Sequence, residues 1–287
     1  MTGDSVLPTT PVLVRSVATG NIMVRTAEAL GNEIAALHSG WVPRRSPAGA
    51  AAPGPPKEDA FAPEPAPLEA WTDRGWAAIR RVVRHRTRRR IYLVATSRGA
   101  VETTEDHSIM VATEPRSVIR PREIRHDTEI LHSLPAPAEL ASCFPLPAVL
   151  DPPPSPGATY TFGEPVAAQM RYLQLRAGGH AVQATGWQET QPGRVRCRIY
   201  ELRVLDPSAA PSCRPQRVQA ICEEGGLGGY VYDLETATGT FQAGVGEIIV
   251  KNTDAAPWLA VPAGPREPVC PDPQFPTCTL AAPHPCG

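Results

Sequence analysis

Apolar residues along this chain alternate with polar ones, or gather in short runs, far more often than they recur at helical spacing. TTPVLVRS near the N-terminus reads as a short strand, and NIMVRTAEAL as a second strand leading into a helical turn. IYLVAT and AVETT flank Ser97-Arg98-Gly99, so β-prone runs on either side of a Gly-containing turn predict a hairpin. HAVQATGW and RVRCRIYELRVL read as further strands, and GYVYDLETATGTFQAGVGEIIVKN as a pair of strands around Thr238-Gly239. One segment departs from this pattern. In VAAQMRYLQLRAGG, Val166, Met170, Leu173 and Leu175 fall near three-to-four spacing, and Gly178-Gly179 supplies a stop signal. The pattern predicts an all-β body with a small α/β insert.

Proline divides that body. The chain has 34 prolines in 287 residues, more than twice the usual ~5%. Residues 43–67 (PRRSPAGAAAPGPPKEDAFAPEPAP), 135–159 and the tail 255–287 are dense in proline, which resists both helix and ladder pairing. They are expected to be disordered or polyproline-like linkers. Four ordered blocks remain, at 1–42, 68–134, 160–222 and 228–254.

Charge and cysteine content narrow the function classes. Lys and Arg number 28 against 29 Asp and Glu, a formal net of -1. That excludes a globally basic nucleic-acid coat and an acidic disordered tail. No apolar run reaches the length of a membrane span, and the N-terminus lacks the pattern of a signal peptide. A cytoplasmic or nuclear setting is expected. Seven cysteines occur without a CxxC pair, so free thiols are expected rather than a disulfide framework or a zinc site. Eight arginines lie between Arg74 and Arg90. They are read as a solvated strand face, with Ile79, Val82 and Val83 buried, rather than as a nucleic-acid patch.

Chemistry-bearing residues sit at strand ends. Thr104-Glu105-Asp106-His107 follows a strand, Asp233 is expected to open one, and Asn252-Thr253 follows another. Each is weak alone, since a polar residue at a strand end is usually structural. Together they offer an imidazole for proton transfer, a carboxyl, an amide able to attack its own backbone and a hydroxyl nucleophile.

Their order carries a resemblance. Thr2-Gly3-Asp4-Ser5, then TEDHS at 104–108, VYDLE at 231–235 and VKNTD at 250–254 resemble an intein, a self-splicing domain of the mostly β Hint (hedgehog/intein) fold. The segments EAWTDRGWAAIRRVVRHRTRRRIYLVATSRGAVETTEDHSIM, PREIRHDTEILHS and FQAGVGEIIVKNTD resemble more narrowly the intein of family B DNA polymerases of large DNA viruses. The resemblance implies a horseshoe built from 1–134, with 43–67 as a linker, and 228–254. It implies that Thr104 and His107 distort and protonate the upstream scissile amide. Asp233 would assist cleavage and acyl transfer, Thr253 would accept the acyl group, and Asn252 would cyclise, with Lys251 at its side. No cofactor or metal is implied, and the partner is the flanking host polypeptide in cis. A monomer is expected, with no membrane contact.

Three departures from the family pattern bear on activity. Met1 stands one residue past the place of the usual Cys or Ser nucleophile, so the chain is expected to be truncated and splicing-defective. Lys251 replaces the usual His, and an ammonium of pKa near 10.4 is a poor proton shuttle at neutral pH. Thr240 stands where a His often precedes Phe. Residues 160–222 resemble the degenerate shoulder of a LAGLIDADG homing endonuclease without its acidic metal ligands. An inactive Hint fragment with weak DNA binding from that remnant is the alternative reading.

Overall fold

The computed structural model describes residues 5–38, 40–44, 56–113, 115–147, 151–190, 196–209, 211–222 and 228–252. β1 (Pro11–Ser16) and β2 (Ile22–Thr26) form an antiparallel hairpin that runs straight into α1 (Ala27–Leu37). Thr26 ends the strand and caps the helix, its Oγ1 accepting from the Ala29 N–H at 3.0 Å. The expected helical turn is thus a full helix, because Leu30 and Ile34 stack one turn apart on its buried face.

Next come β3 (Val42–Pro43), β4 (Lys57–Phe61), β5 (Leu68–Thr72) and the long β6 (Gly75–Arg86). β7 (Ile91–Thr96) and β8 (Gly99–Thr104) make the predicted hairpin, in register from Ile91↔Thr104 to Ala95↔Ala100. β9 (Ile109–Val111), β10 (Ser117–Ile119) and α2 (Pro137–Ala141) follow. The insert contains β11 (Thr159–Phe162), α3 (Pro165–Ala177), β12 (Val182–Thr190) and β13 (Arg196–Val204). β14 (Pro215–Cys222), β15 (Tyr230–Thr236), β16 (Thr240–Gln242), β17 (Val245–Gly246) and β18 (Ile249–Lys251) are the last elements among the described residues.

The fold is mostly β, in open antiparallel sheets. One sheet runs β2-β1-β5-β6-β4-β3 with β15 also on β6; others run β14-β7-β8-β17, β10-β9-β18-β16 and β11-β13-β12. Two buried clusters fill the space between them, one around Leu13, Leu93 and Tyr172, the other around Val12, Ile79 and Phe241.

The structure corrects several expectations. Within the first proline-rich stretch, Lys57–Phe61 is a strand paired with β6 from Lys57↔His85 to Phe61↔Arg81. Its five residues contain no proline, so every backbone donor is available; the prolines flank it. Residues 45–55 of that stretch and the tail 255–287 lie outside the described residues. In the second stretch Pro137 opens α2, where its missing N–H costs nothing, and Leu140 and Phe144 are buried. The insert ends earlier than expected, because β14 pairs with β7 rather than with β13. The strands on either side of Thr238-Gly239 do not pair with each other: β15 pairs with β6 and β16 with β18. On α3 the buried positions are Pro165, Ala168, Gln169, Tyr172, Leu173 and Leu175, so Val166 and Met170 are peripheral.

On β6, Ile79, Val82 and Val83 are buried as expected. The intervening arginines are only partly solvated. Arg81 pairs with Glu235 at 2.5 Å, and Arg84 pairs with Glu58 at 2.7 Å and stacks on Trp41 at 4.1 Å. Arg80, Arg86 and Arg88–Arg90 are exposed.

The insert shares a core with the body, since Tyr172, Leu173, Val182 and Leu202 belong to the same cluster as Leu93, Ala95 and Ala100. A buried carboxylate joins them. Glu247 is 2% exposed, takes a hydrogen bond from the Tyr172 hydroxyl at 2.6 Å and ion-pairs with Arg98 and Arg176. These cations hold its carboxyl down at about 2 against the cost of burial. Glu247→Ala would take a buried counterion from both Arg98 and Arg176, and a loss of about 3 kcal/mol in the unfolding free energy from urea titration is expected.

Candidate functional site

The N-terminal strand residues enter between two strands that are far apart in sequence. Val6 bridges Thr103 on β8 and Tyr232 on β15, exchanging backbone hydrogen bonds with Tyr232 at 2.8 and 3.0 Å. That placement sets Ser5 against the end of β8. The Ser5 N–H donates to the Thr104 Oγ1 at 3.1 Å, and the Thr104 N–H donates to the Ser5 carbonyl at 2.9 Å. The chain then turns, with the His107 N–H donating to the Thr104 carbonyl at 3.0 Å.

From this turn the connection passes to the C-terminal block. The Lys251 N–H donates to the Ser108 carbonyl at 2.8 Å, at the end of β18. Asn252 follows, 1% exposed, its N–H donating to the Gly239 carbonyl at 2.9 Å and its Nδ2 to the Leu234 carbonyl. The Leu234 N–H donates to Asp233 Oδ1 at 2.9 Å, and Tyr232 returns to Val6. Hydrogen bonds and the peptide links between chain neighbours (Ser108, Leu234, Tyr232 and Val6) together close a ring that passes through Ser5, Thr104, His107, Lys251, Asn252 and Asp233. Asp233 lies in the middle of β15 rather than at its start. That register places it one residue from the strand's contact with Val6. Residues 1–4 and Thr253 lie outside the described residues.

Within the ring two side chains are buried and unsatisfied. His107 is 0% exposed, and neither ring nitrogen has a hydrogen-bond partner among the described residues. Burial alone pushes its pKa from 6.5 down to about 3, so the imidazole is neutral at physiological pH. Asp106 is 4% exposed, and both carboxylate oxygens likewise have no partner among the described residues. Groups of this kind are expensive to bury without a function. They mark the place where a further polar group can be received.

A second polar group flanks the C-terminal strand. Thr240 pairs across the sheet with Lys251, and its hydroxyl donates to Asp73 Oδ1 at 2.5 Å. Asp73 in turn ion-pairs with Arg116. Neither Asp73 nor Arg116 stands out by local motif. Asp106 is not singled out by the sequence reading either, although it stands inside the TEDH unit between Thr104 and His107. Among the described residues there is no group of three or more His, Cys, Asp or Glu side chains that could hold a metal ion. No helix among them is long and apolar enough to cross a membrane.

No family model matches this chain. It is 35% identical over 133 residues to a DNA polymerase of Acanthamoeba polyphaga mimivirus, a match that covers 46% of this chain. The match takes in only 7% of that polymerase's own length. Among solved structures the chain is similar to the transcription factor IIB Mvu mini-intein, with a TM-score of 0.46 and 14% identity over 87% of this chain and 100% of that one. It is also similar to the PabCDC21-1 intein, with a TM-score of 0.45 and 11% identity over 88% and 100% of the two chains. By its motif order, its mostly β architecture and its likeness to a viral polymerase, the chain resembles a Hint-fold intein of the viral DNA polymerase kind.

Proposed function

We propose that this chain is the protein-splicing element of a viral-type DNA polymerase precursor. The observation that carries the reading is the hydrogen-bonded ring, which links the N-terminal residues, the Thr104–His107 turn and Asn252. Splicing requires both junctions in one site, and the links between Ser5, the Thr104–His107 turn and Asn252 support that reading.

In such a precursor a Cys or Ser one residue ahead of the position held by Met1 attacks the preceding carbonyl carbon. The C–N bond breaks, a thioester or ester forms, and the released amine takes up a proton. His107, neutral when buried, accepts the nucleophile's proton and passes it to the leaving nitrogen. Its low pKa makes the transient imidazolium a strong acid for that second transfer. Thr104 fixes the turn on which His107 rides. Asp233 assists acyl transfer to the Thr253 hydroxyl. Asn252 Nδ2 then attacks its own carbonyl carbon, forming a succinimide and freeing the amine of Thr253. In the structure this Nδ2 is engaged by the Leu234 carbonyl, so it must turn away before it attacks.

The Asn252 step needs no upstream residue and can be followed by itself. Lys251 limits it, because an ammonium shuttles protons poorly at neutral pH. Lys251→His is expected to accelerate release of residues 253–287 by ~10–100-fold, the range of a modest acid–base contribution. Intact mass spectrometry against time reads the release, with Asn252→Ala as the control that prevents it. Release that persists in Asn252→Ala, or no release at any pH with His at 251, would contradict the proposal.

A further inference from the structure

The corner between β17 and β18 is gripped from two sides. On one side stands α3 of the insert. Gln169, 0% exposed, takes both backbone groups of Gly246: its Nε2 donates to the carbonyl at 3.2 Å, and its Oε1 accepts from the N–H at 2.6 Å. Further along α3 the Tyr172 hydroxyl donates to Glu247 Oε1 at 2.6 Å, and Arg176 Nε lies 3.6 Å from the same oxygen.

On the other side stands the turn between β7 and β8. Arg98 Nε donates to Glu247 Oε2 at 3.0 Å, and the Glu247 N–H donates to the Arg98 carbonyl at 3.1 Å. Gly246 has φ +88°, and a Cβ there would stand 2.2 Å from the Arg98 carbonyl oxygen. The corner therefore has no room to slide towards the turn, and α3 closes the opposite direction.

β18 begins three residues after Gly246 and ends at Lys251, next to Asn252. A strand of three residues, paired with β16 and at one point with β9, depends on its entry for its alignment. A shift at Gly246 is carried along the strand to Asn252, whose amide must reach its own carbonyl carbon. Misplacement by about 1 Å costs a reaction of this kind up to ~100-fold.

We infer that Gln169, Tyr172 and Arg176 are positioning residues for the Asn252 cyclisation, which makes the insert a working part of the splicing domain. This rests on the proposal that Asn252 cyclises. It gives a reason for the insert that does not depend on nuclease chemistry, and it predicts that the two junctions respond differently to the same substitution. The grip of α3 bears on the strand leading to Asn252, whereas Ser5 and Thr104 are held by β8 and β15.

The test uses the full chain with Lys251→His, in which release of residues 253–287 is measured by intact mass spectrometry. Gln169→Leu and Tyr172→Phe are added separately. Each is also placed in a precursor with an upstream host segment and Cys-Val in place of Met1, in which a thiol reagent reads the N-terminal step. The ratio of release to thiolysis is expected to fall ~10–100-fold in both variants. Gln169→Glu, which keeps the acceptor and loses the donor, should fall between Gln169→Leu and the parent. Should Gln169→Leu fail to fold by circular dichroism, Tyr172→Phe, which removes a single hydroxyl, carries the test. An unchanged ratio overturns the positioning role, whether both rates hold or both fall together. No release in the parent chain overturns the proposed cyclisation and, with it, this role.

Discussion

Replacing His107 by Ala is expected to abolish thiol-induced cleavage in a precursor that carries Cys-Val in place of Met1. The uncatalysed amide is inert to a neighbouring thiol, and the step needs a proton delivered to its nitrogen. His107 is a fully buried imidazole with both nitrogens unsatisfied among the described residues, on a turn tied to Ser5 through Thr104. Removing the ring leaves Asp106 as the next buried ionisable group in the turn. Its carboxylate is on a different residue of the turn and is not expected to take over. Thr104→Ala should slow the same step less than His107→Ala, since it loosens one hydrogen bond to Ser5 without removing the proton carrier. Mass spectrometry of the released segment distinguishes these outcomes. Thiolysis that survives His107→Ala would show that the site is wrongly assigned.

Acid is expected to unfold this domain well above the pH at which carboxylates alone would do so. His107 has a pKa of about 3 in the folded chain against 6.5 when unfolded. The unfolded chain therefore binds a proton that the folded chain refuses, and stability falls as pH drops from about 6.5 towards about 3. The slope from this one residue is about 1.4 kcal/mol per pH unit. His132, held between Thr96 Oγ1 and the Ile130 carbonyl, is shifted down to about 3 and adds in the same direction. Glu247, at about 2 in the folded chain, withdraws its support only below about 4.5. Glu102 is shifted up by burial, with Arg198 acting the other way, and opposes the trend. Urea midpoints measured from pH 7.5 to 4.5 should fall steadily below about 6.5, and His107→Gln should flatten the slope. A flat profile across that range would mean that the imidazole is not buried.

Local pattern made the body of this fold legible where short-range chemistry decides structure. The hairpin of β7 and β8 follows from β-prone runs on either side of Ser97-Arg98-Gly99, and the structure places it there. The Thr104–His107 unit and Asn252 were legible because motif order, not geometry, singled them out. Other elements depend on partners distant in sequence. Lys57–Phe61 pairs because β6 offers it an edge, and no property of KEDAF alone announces that. α2 hides inside a proline-rich stretch since Pro at its first turn is permitted and Leu140 and Phe144 have a core to enter.

The site shows the same division. Asp233 was placed at a strand start from its sequence neighbours, yet pairing with β6 runs the strand on both sides of it. The contacts of Gln169 and Tyr172 with Gly246 and Glu247 span more than seventy residues of chain, so no window of sequence contains both partners. A helix read as the leftover of another activity is thereby packed against β17, just ahead of the strand that leads to Asn252.

One site is proposed to perform chemistry at both ends of this domain. The decisive sample is a precursor with an upstream host segment, Cys-Val in place of Met1, Lys251→His, and the native residues 253–287. Intact mass spectrometry with and without a thiol reagent follows both ends in one sample. The account predicts thiol-dependent loss of the upstream segment and thiol-independent release of residues 253–287, leaving a succinimide at Asn252. A precursor that stays intact at both ends while folded by circular dichroism would contradict it.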